Sequence, residues 1–262
     1  MTYPSLRQSL VLAGTIGALL GAAWPTAAQQ PAPAQQAAPL PPGSPLIGRP
    51  DTADAKRLAP VPAPPLAAAA DKLPVDKLKV PKGFKVEVYA SGMPNARSLA
   101  LGDKGTVFVG SRLQDKVYAI VDKGGKREVK IIASGLYRPN GVAFKNGTLY
   151  IMELSQLSKI DKIEDNLDNP PKPTVILDGL PKDEAHGWKY IAIGPDNKLY
   201  FEIGQPCNNC LPPEGYATMR RVNLDGTGME TIAQGIRNTV GFDWHPTSKE
   251  LYFTDNSRDW MS

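Results

Sequence analysis

The stretch GVAFKNGTLYI at residues 141–151 places two short apolar segments on either side of an Asn-Gly pair. Alternating apolar residues around such a pair indicate an antiparallel β-hairpin, because asparagine and glycine tolerate the positive φ angles of a tight turn. The pattern recurs as SLALGDKGTVFV at 98–109, YIAIGPDNKLYF at 190–201 and VGFDWHPTSKELYF at 240–253. The chain is therefore expected to repeat one hairpin-based unit.

The repeat has a period of about 45 residues, and further strand candidates, such as 116–120 and 219–222, lie between the hairpins. An insertion at 205–215 lengthens the third unit. Four short antiparallel strands per unit predict an all-β fold of the β-propeller type. A β-sandwich of short strands is the alternative, but sandwiches do not repeat a motif at this period. About four blades fit in the chain, so an incomplete propeller domain is expected at 72–262.

The residues before the repeat have a different character. Residues 1–28 read as a signal peptide, with Arg7 before an apolar stretch and small residues, Thr26 and Ala28, ahead of a cleavage site. The apolar stretch is shorter than the ~20 residues of a membrane span. Residues 29–71 are rich in Pro, Ala and Gln and predict a disordered linker. A periplasmic or secreted protein with no stable membrane span after cleavage is expected.

The charge and the cysteines narrow the function classes. Thirty basic and 26 acidic residues are interspersed, so no basic stripe indicates nucleic-acid binding. Cys207 and Cys210 are the only cysteines, and in an exported chain they predict a local disulfide that pins the insertion. No histidine follows Cys210 as a c-type haem site would require. A zinc site would need His186 and His245 as further ligands at an irregular spacing, so a zinc site is not expected.

Several ordered motifs resemble those of the pyrroloquinoline quinone (PQQ)-dependent soluble glucose dehydrogenases: LDGLP at 177–181, HG at 186–187, IGPDNKLYFEIG at 193–204, RVNLDGT at 221–227 and GIRN at 235–238. PCNNC at 206–210 and GFDWHP at 241–246 resemble the sorbosone dehydrogenase branch. The resemblance spans about 78–262. It implies a six-bladed propeller that holds PQQ over its axis, with calcium positioning the quinone, and a sugar oxidised by hydride transfer to PQQ.

The resemblance assigns the general base to His186, which lies in the polar segment Asp-Glu-Ala-His-Gly at 183–187. Histidine suits that role because its pKa lies near neutral pH. The family orients this histidine with an acidic residue just after the Ile-Gly pair, where this chain has Gln205. A carboxamide oxygen could still accept the ring N–H, but it stabilises an imidazolium less than a carboxylate does.

The resemblance also assigns the cofactor side. Arg237, a second catalytic candidate, and Asn238 match the pair beside the PQQ carbonyls, where the arginine can stabilise developing negative charge. The backbone near Ser257 and Arg258 matches the calcium ligands. The family's later blades supply further cofactor contacts, so the activity of this chain is left open. His245 lies in a His-Pro turn and is interpreted as structural.

The leading hypothesis is thus a PQQ-dependent sugar dehydrogenase whose partners are a small sugar or aldehyde substrate and an electron acceptor. Two alternatives remain. RPNGVAF at 138–144 resembles a segment of calcium-dependent lactonase propellers, which would make the chain a hydrolase. A non-catalytic propeller that binds a partner is the other, since fold does not fix function.

Overall fold

A computed structural model describes residues 69–258. The expected signal peptide at 1–28 lies outside the described residues, as does the expected linker at 29–71 except for its last three residues. The described part begins with two 3-10 turns, Ala70–Lys72 and Val75–Lys77. The regular elements that follow are β-strands, apart from a third 3-10 turn at Ile163–Asp165. Within residues 69–258, no helix is long and apolar enough to cross a membrane.

The strands form four antiparallel sheets in which neighbours in sequence are neighbours in space. Three sheets have four strands each, and the fourth has two within the described residues. The strands are β1 (Ala96–Leu101), β2 (Val107–Ser111), β3 (Val117–Lys123), β4 (Lys126–Ala133), β5 (Gly141–Lys145), β6 (Thr148–Met152), β7 (Leu157–Ile160), β8 (Thr174–Leu177), β9 (Ile191–Ile193), β10 (Lys198–Ile203), β11 (Thr218–Asn223), β12 (Glu230–Gln234), β13 (Phe242–Trp244) and β14 (Leu251–Phe253).

Each predicted hairpin forms the first two strands of a sheet. In the second sheet Lys145 pairs with Thr148, and the two residues between them, Asn146 and Gly147, have φ angles of 49° and 78°. Two consecutive positive φ angles match the right-handed twist of the flanking strands. The insertion at 205–215 lies between β10 and β11, as expected. The prediction of a propeller-type all-β fold is confirmed, and residues 69–258 form three complete blades and two strands of a fourth.

The core lies between successive sheets. Leu149 and Ile151 of β6 pack toward the first sheet, whereas Tyr150 and Met152 pack toward the third. Side chains alternate between the two faces of a strand, so one apolar strand fills two cores. The first strands of neighbouring sheets contact one another, β1 with β5 and β5 with β9, while β8 and β12 are largely exposed. The first strands are therefore the inner strands of the blades.

The topology collects particular loops at one end of the sheets. Because successive strands run in opposite directions, the loop after the second strand and the loop after the fourth strand of every sheet emerge at the same end. This end, called the loop face below, comprises the connections β2–β3, β4–β5, β6–β7, β8–β9, β10–β11 and β12–β13, together with the segment after β14. Every predicted site residue lies on it.

Candidate functional site

His186 lies on the loop face between β8 and β9. Its φ of 52° is in the left-handed region, which is uncommon for a residue other than glycine. Close packing holds it there, since a Cβ built on Gly204 would lie 2.6 Å from the His186 Cβ. The ring Nδ1 lies 2.7 Å from the backbone carbonyl oxygen of Gln205. A carbonyl only accepts, so Nδ1 carries the proton, and the neutral ring has its lone pair on Nε2.

Gln205 therefore orients His186, but not through the atom that the sequence indicated. The carboxamide of Gln205 points the other way, where its Nε2 donates to the carbonyl oxygen of Cys210. The side chain is 8% exposed and packs against the two cysteines. The carboxamide oxygen is therefore not the acceptor of the ring N–H, because the backbone just after β10 turns the Gln205 carbonyl, and not the side chain, toward His186.

Arg237 holds the insertion in place. The expected disulfide between Cys207 and Cys210 is present, with Cα atoms 6.1 Å apart. Arg237 is 7% exposed and donates through Nε to the Asn208 carbonyl oxygen at 3.1 Å and through Nη2 to Asn208 Oδ1 at 2.8 Å. Its Nη1 donates to the Asn256 carbonyl oxygen at 2.9 Å. The guanidinium thus joins the insertion to the segment after β14.

The other cofactor-side residues lie beside this clamp. The backbone N–H of Asn238 donates to Asp255 Oδ1 at 2.9 Å, and its half-buried side-chain amide makes no hydrogen bond to another described residue. Ser257 and Arg258 are exposed, and Arg258 Nη1 donates to Asn209 Oδ1 at 3.0 Å. No group of three His, Cys, Asp or Glu side chains that could hold a metal occurs within the described range.

The main chain of Gln205 connects His186 with Arg237. Its N–H donates to the Arg237 carbonyl oxygen at 2.8 Å, while its carbonyl accepts from His186. The structure therefore brings His186 and Arg237 together through one residue, with Asn238 next in sequence. His245, by contrast, lies in the β13–β14 turn, where its Nδ1 accepts from Ser248 N at 3.1 Å, which supports the structural interpretation.

A buried lysine and glutamate beneath the His186 loop were missed from the sequence. Lys189 is 1% exposed and donates to the carbonyl oxygens of Leu154 at 2.6 Å and Gly187 at 3.0 Å. Burial lowers the pKa of Lys189 to about 8. Glu202, also 1% exposed, has no described hydrogen-bond partner for either carboxyl oxygen, and burial raises its pKa well above the usual range.

Glu202 lies close to the base. The Cβ built on Gly204 would be 3.2 Å from Glu202 Oε2 as well as 2.6 Å from the His186 Cβ. Glycine is required at this position because any side chain would collide with the histidine. The sequence signal that could have found Glu202 is its place in β10, three residues before Gln205, where its acidic side chain interrupts the apolar and aromatic residues at 199–203.

A second missed group is cationic. The Arg112 guanidinium, in the β2–β3 loop, lies 3.9 Å from the centre of the Trp188 ring, and the Trp188 indole N–H donates to the Arg112 carbonyl oxygen at 3.1 Å. Arg138, in the β4–β5 loop, pairs with Glu184 at 2.9 Å and donates to the Leu113 carbonyl oxygen at 3.1 Å. The partners are 76 and 46 residues apart in sequence, so no local pattern could reveal them.

No protein-family model matches the chain. A protein of Borreliella burgdorferi, described only as uncharacterized, is 31% identical over 193 residues, which cover 70% of this chain and 50% of that protein. The chain therefore spans about half the length of the curated relative that it matches.

Solved structures share the fold. The PQQ domain of a pyranose dehydrogenase from Coprinopsis cinerea matches with a TM-score of 0.61 at 17% identity, covering 69% of this chain and 48% of that one. The PQQ-bound aldose sugar dehydrogenase of Streptomyces coelicolor gives 0.51 at 20% identity, covering 65% and 59%. A carbohydrate-active enzyme of family AA12 from Trichoderma reesei gives 0.56 at 17%, covering 74% and 51%. The chain has the fold of PQQ-dependent sugar dehydrogenases over roughly half of their length.

Proposed function

We propose that this chain carries the base-bearing part of a quinoprotein that oxidises a sugar or aldose-type substrate by hydride transfer to PQQ. The observation that carries the proposal is the 2.7 Å hydrogen bond between His186 Nδ1 and the Gln205 carbonyl oxygen, which sets the ring up as a base at Nε2. The PQQ-binding proteins that share the fold support it. This chain spans about half of their length, so the oxidation is proposed as the activity of the whole protein and not of these residues by themselves.

The donors on the loop face fit the cofactor in part. The Asn238 amide, which has no hydrogen bond to a described residue, suits a quinone carbonyl oxygen as acceptor. Arg237 is committed to Asn208 and Asn256, so it contributes a fixed positive charge and holds Asn238 in position. Calcium is proposed at backbone carbonyls of Ser257 and Arg258, because hard cations prefer oxygen ligands.

The chemistry of this chain's own residues is a proton transfer. When bound, PQQ supplies the two-electron oxidant that accepts hydride from the anomeric carbon. His186 Nε2 takes the proton of the anomeric hydroxyl, and the Gln205 carbonyl keeps the ring oriented while it becomes an imidazolium. A positioned general base contributes about 10²–10⁴-fold to rate. A carbonyl stabilises the cation less than a carboxylate would.

The remaining assignments complete the proposal. Residues 1–28 would export the protein to the periplasm or beyond, and residues 29–71 would tether the propeller domain that follows. A separate electron acceptor would reoxidise the reduced cofactor.

The two histidines of the chain provide the test. We expect dye-linked aldose oxidation by the full chain with PQQ and calcium to fall about 10²–10⁴-fold in kcat for His186→Ala, with PQQ binding, measured by calorimetry, nearly unchanged. His245→Ala, in an exposed turn, is the control and should retain activity. Full activity of His186→Ala would contradict the assigned base. A wild-type chain that binds no PQQ, or hydrolyses lactones with calcium alone, would overturn the proposal.

A further inference from the structure

Three arginines gather on the loop face next to the His186 segment. The backbone N–H of Arg112 donates to the Asn95 carbonyl oxygen at 3.0 Å, which places Arg112 next to the start of β1 and Arg97. Ser111 N donates to the Pro139 carbonyl oxygen at 2.9 Å, which brings in the Arg138 loop. Burial, followed by the charges of Arg97 and Arg138, lowers the pKa of Arg112.

The compensation of charge in this cluster is incomplete. Arg138 pairs with Glu184, and this pairing lowers the pKa of that carboxyl. Arg112 and Arg97 form no ion pair with any residue in 69–258, and Arg112 Nε is buried without a hydrogen-bond partner there. A buried N–H of a guanidinium group without an acceptor is unfavourable unless a ligand supplies one.

The opposite end of the same sheet offers a comparison. Arg127 also stacks on an aromatic ring, 3.8 Å from the centre of Tyr89, and its Nε is likewise buried. Its neighbours, however, are the carboxylates of Asp122 at 3.7 Å and Glu87 at 4.0 Å. Arg112 has arginines where Arg127 has carboxylates. Both arginines stack on an aromatic ring, so stacking does not account for the difference in charge between their surroundings. The surroundings of Arg112 lack an anion to balance its charge.

We propose that Arg112, with Arg138 and Arg97 beside it, forms a carboxylate-binding subsite, and that the substrate is an acidic sugar such as a hexuronate. The planar guanidinium matches a carboxylate through two parallel hydrogen bonds. Trp188, on which Arg112 stacks, follows His186 by two residues, so their Cα atoms are at most about 7.6 Å apart. In a hexuronate the carboxylate-bearing carbon and the anomeric carbon are both bonded to the ring oxygen, so neighbouring protein groups can reach the carboxylate and the anomeric hydroxyl of one sugar ring. That the ligand is a sugar rests on the proposed function.

The experiment reads binding at the site itself, without PQQ. The indole N–H resonance of Trp188 in the full chain, assigned by its loss in Trp188→Phe, is followed during titration with D-glucuronate. Saturable shifts are expected, whereas D-glucose and the methyl ester of glucuronate should give none. Arg112→Gln should raise Kd at least tenfold, about 1.4 kcal/mol, and Arg112→Lys should recover part of the affinity. Arg127→Gln, the same change on the opposite face, should leave Kd unchanged.

Each contrary result is decisive. An absence of saturable shifts in the wild-type chain, equal binding of glucose and glucuronate, or unchanged Kd in a folded Arg112→Gln would overturn the subsite. If Arg112→Gln weakens PQQ binding but not glucuronate binding, the carboxylate belongs to the cofactor and the substrate assignment is wrong. Binding of glucuronate through Arg112 with no PQQ-dependent oxidation would instead overturn the proposed function and leave the subsite standing.

Discussion

Lys189 and Glu202 show how single residues beneath the base set the pH dependence of stability. Lys189 has carbonyl acceptors for its ammonium group, whereas the Glu202 oxygens have no described partner. Burial therefore raises the pKa of Glu202, and the nearby charge of Asp255 adds to the rise while that of Lys189 opposes it. The folded state accordingly holds a proton on Glu202 at pH values where the unfolded chain has released it.

This pKa shift predicts a direction for stability. A carboxyl with a raised folded-state pKa contributes stability that is lost as pH rises above the ordinary value of 4.5. The wild-type chain should therefore lose unfolding free energy, measured in urea, between pH 4.5 and 7. Glu202→Gln lacks the titrating group, so the unfolding free energy of the variant minus that of wild type should rise over this range. Glu214→Gln removes an exposed carboxylate and serves as the control. A difference between Glu202→Gln and wild type that is constant across this range would refute the argument.

Lys189 could not be found from its local sequence. A lysine between Trp188 and Tyr190 in a polar segment ordinarily lies in solvent. Its burial depends on a carbonyl group of the β6–β7 loop, 35 residues earlier, and on carbonyl groups of its own loop. His186 was found only because its motif resembles a family, and its contact with the Gln205 carbonyl depends on the path of the backbone at the end of β10. Contacts between distant residues are a property of the fold, not of the motif.

At the scale of the elements, the sequence predicted the strands that have a strict apolar alternation and a recognisable turn. All four hairpins formed. Three of their turns place Gly105, Asn146 with Gly147, or Asn197 at positive φ, which glycine and asparagine tolerate, and the fourth has Lys249 at 62°. The outer strands β8 and β12 were not located individually, because they are largely exposed and their side chains follow no alternation. The loops of the loop face were recognised as polar, but their mutual contacts could not be predicted.

Arg237 fixes the conformation of the insertion between β10 and β11. Asn208 is 5% exposed and accepts from Arg237, while the adjacent Asn209 is exposed. Asn208→Ala should lower the unfolding free energy by about 1.5–3 kcal/mol, the contribution of a hydrogen bond to a charged group. Asn209→Ala, the matched control, should cost less than about 0.5 kcal/mol. Equal costs in urea unfolding would show that the clamp contributes nothing to stability.

At the scale of the whole molecule, the first sheet exposes an apolar flank. Leu99 and Leu101 of β1 are 62% and 68% exposed, and Leu99 borders an apolar groove that also includes Val107 and Met93. Contiguous exposed apolar surface of this kind favours self-association. The packed side of the same sheet contributes to the core that it shares with the second sheet.

Leu101→Lys should therefore reduce self-association without loss of stability. Sedimentation velocity of the full chain should show less concentration-dependent association in the variant, while its unfolding free energy stays within about 0.5 kcal/mol of wild type. Leu149→Ala, at a position with 0% exposure, is expected to cost about 2–5 kcal/mol, which confirms that the assay responds to core changes. Undiminished association of Leu101→Lys would show that this flank is not the contact surface.

The main chain of Gln205 has a consequence for how this protein tolerates sequence change. Both of its hydrogen bonds, from its N–H to Arg237 and from His186 to its carbonyl, are made by the main chain. Replacement of the Gln205 side chain therefore leaves both main-chain hydrogen bonds available, although it removes the side-chain bond to the Cys210 carbonyl oxygen. Proline is excluded, because it lacks the N–H. The orientation of the base thus depends on the path of the main chain and not on the side chain at position 205.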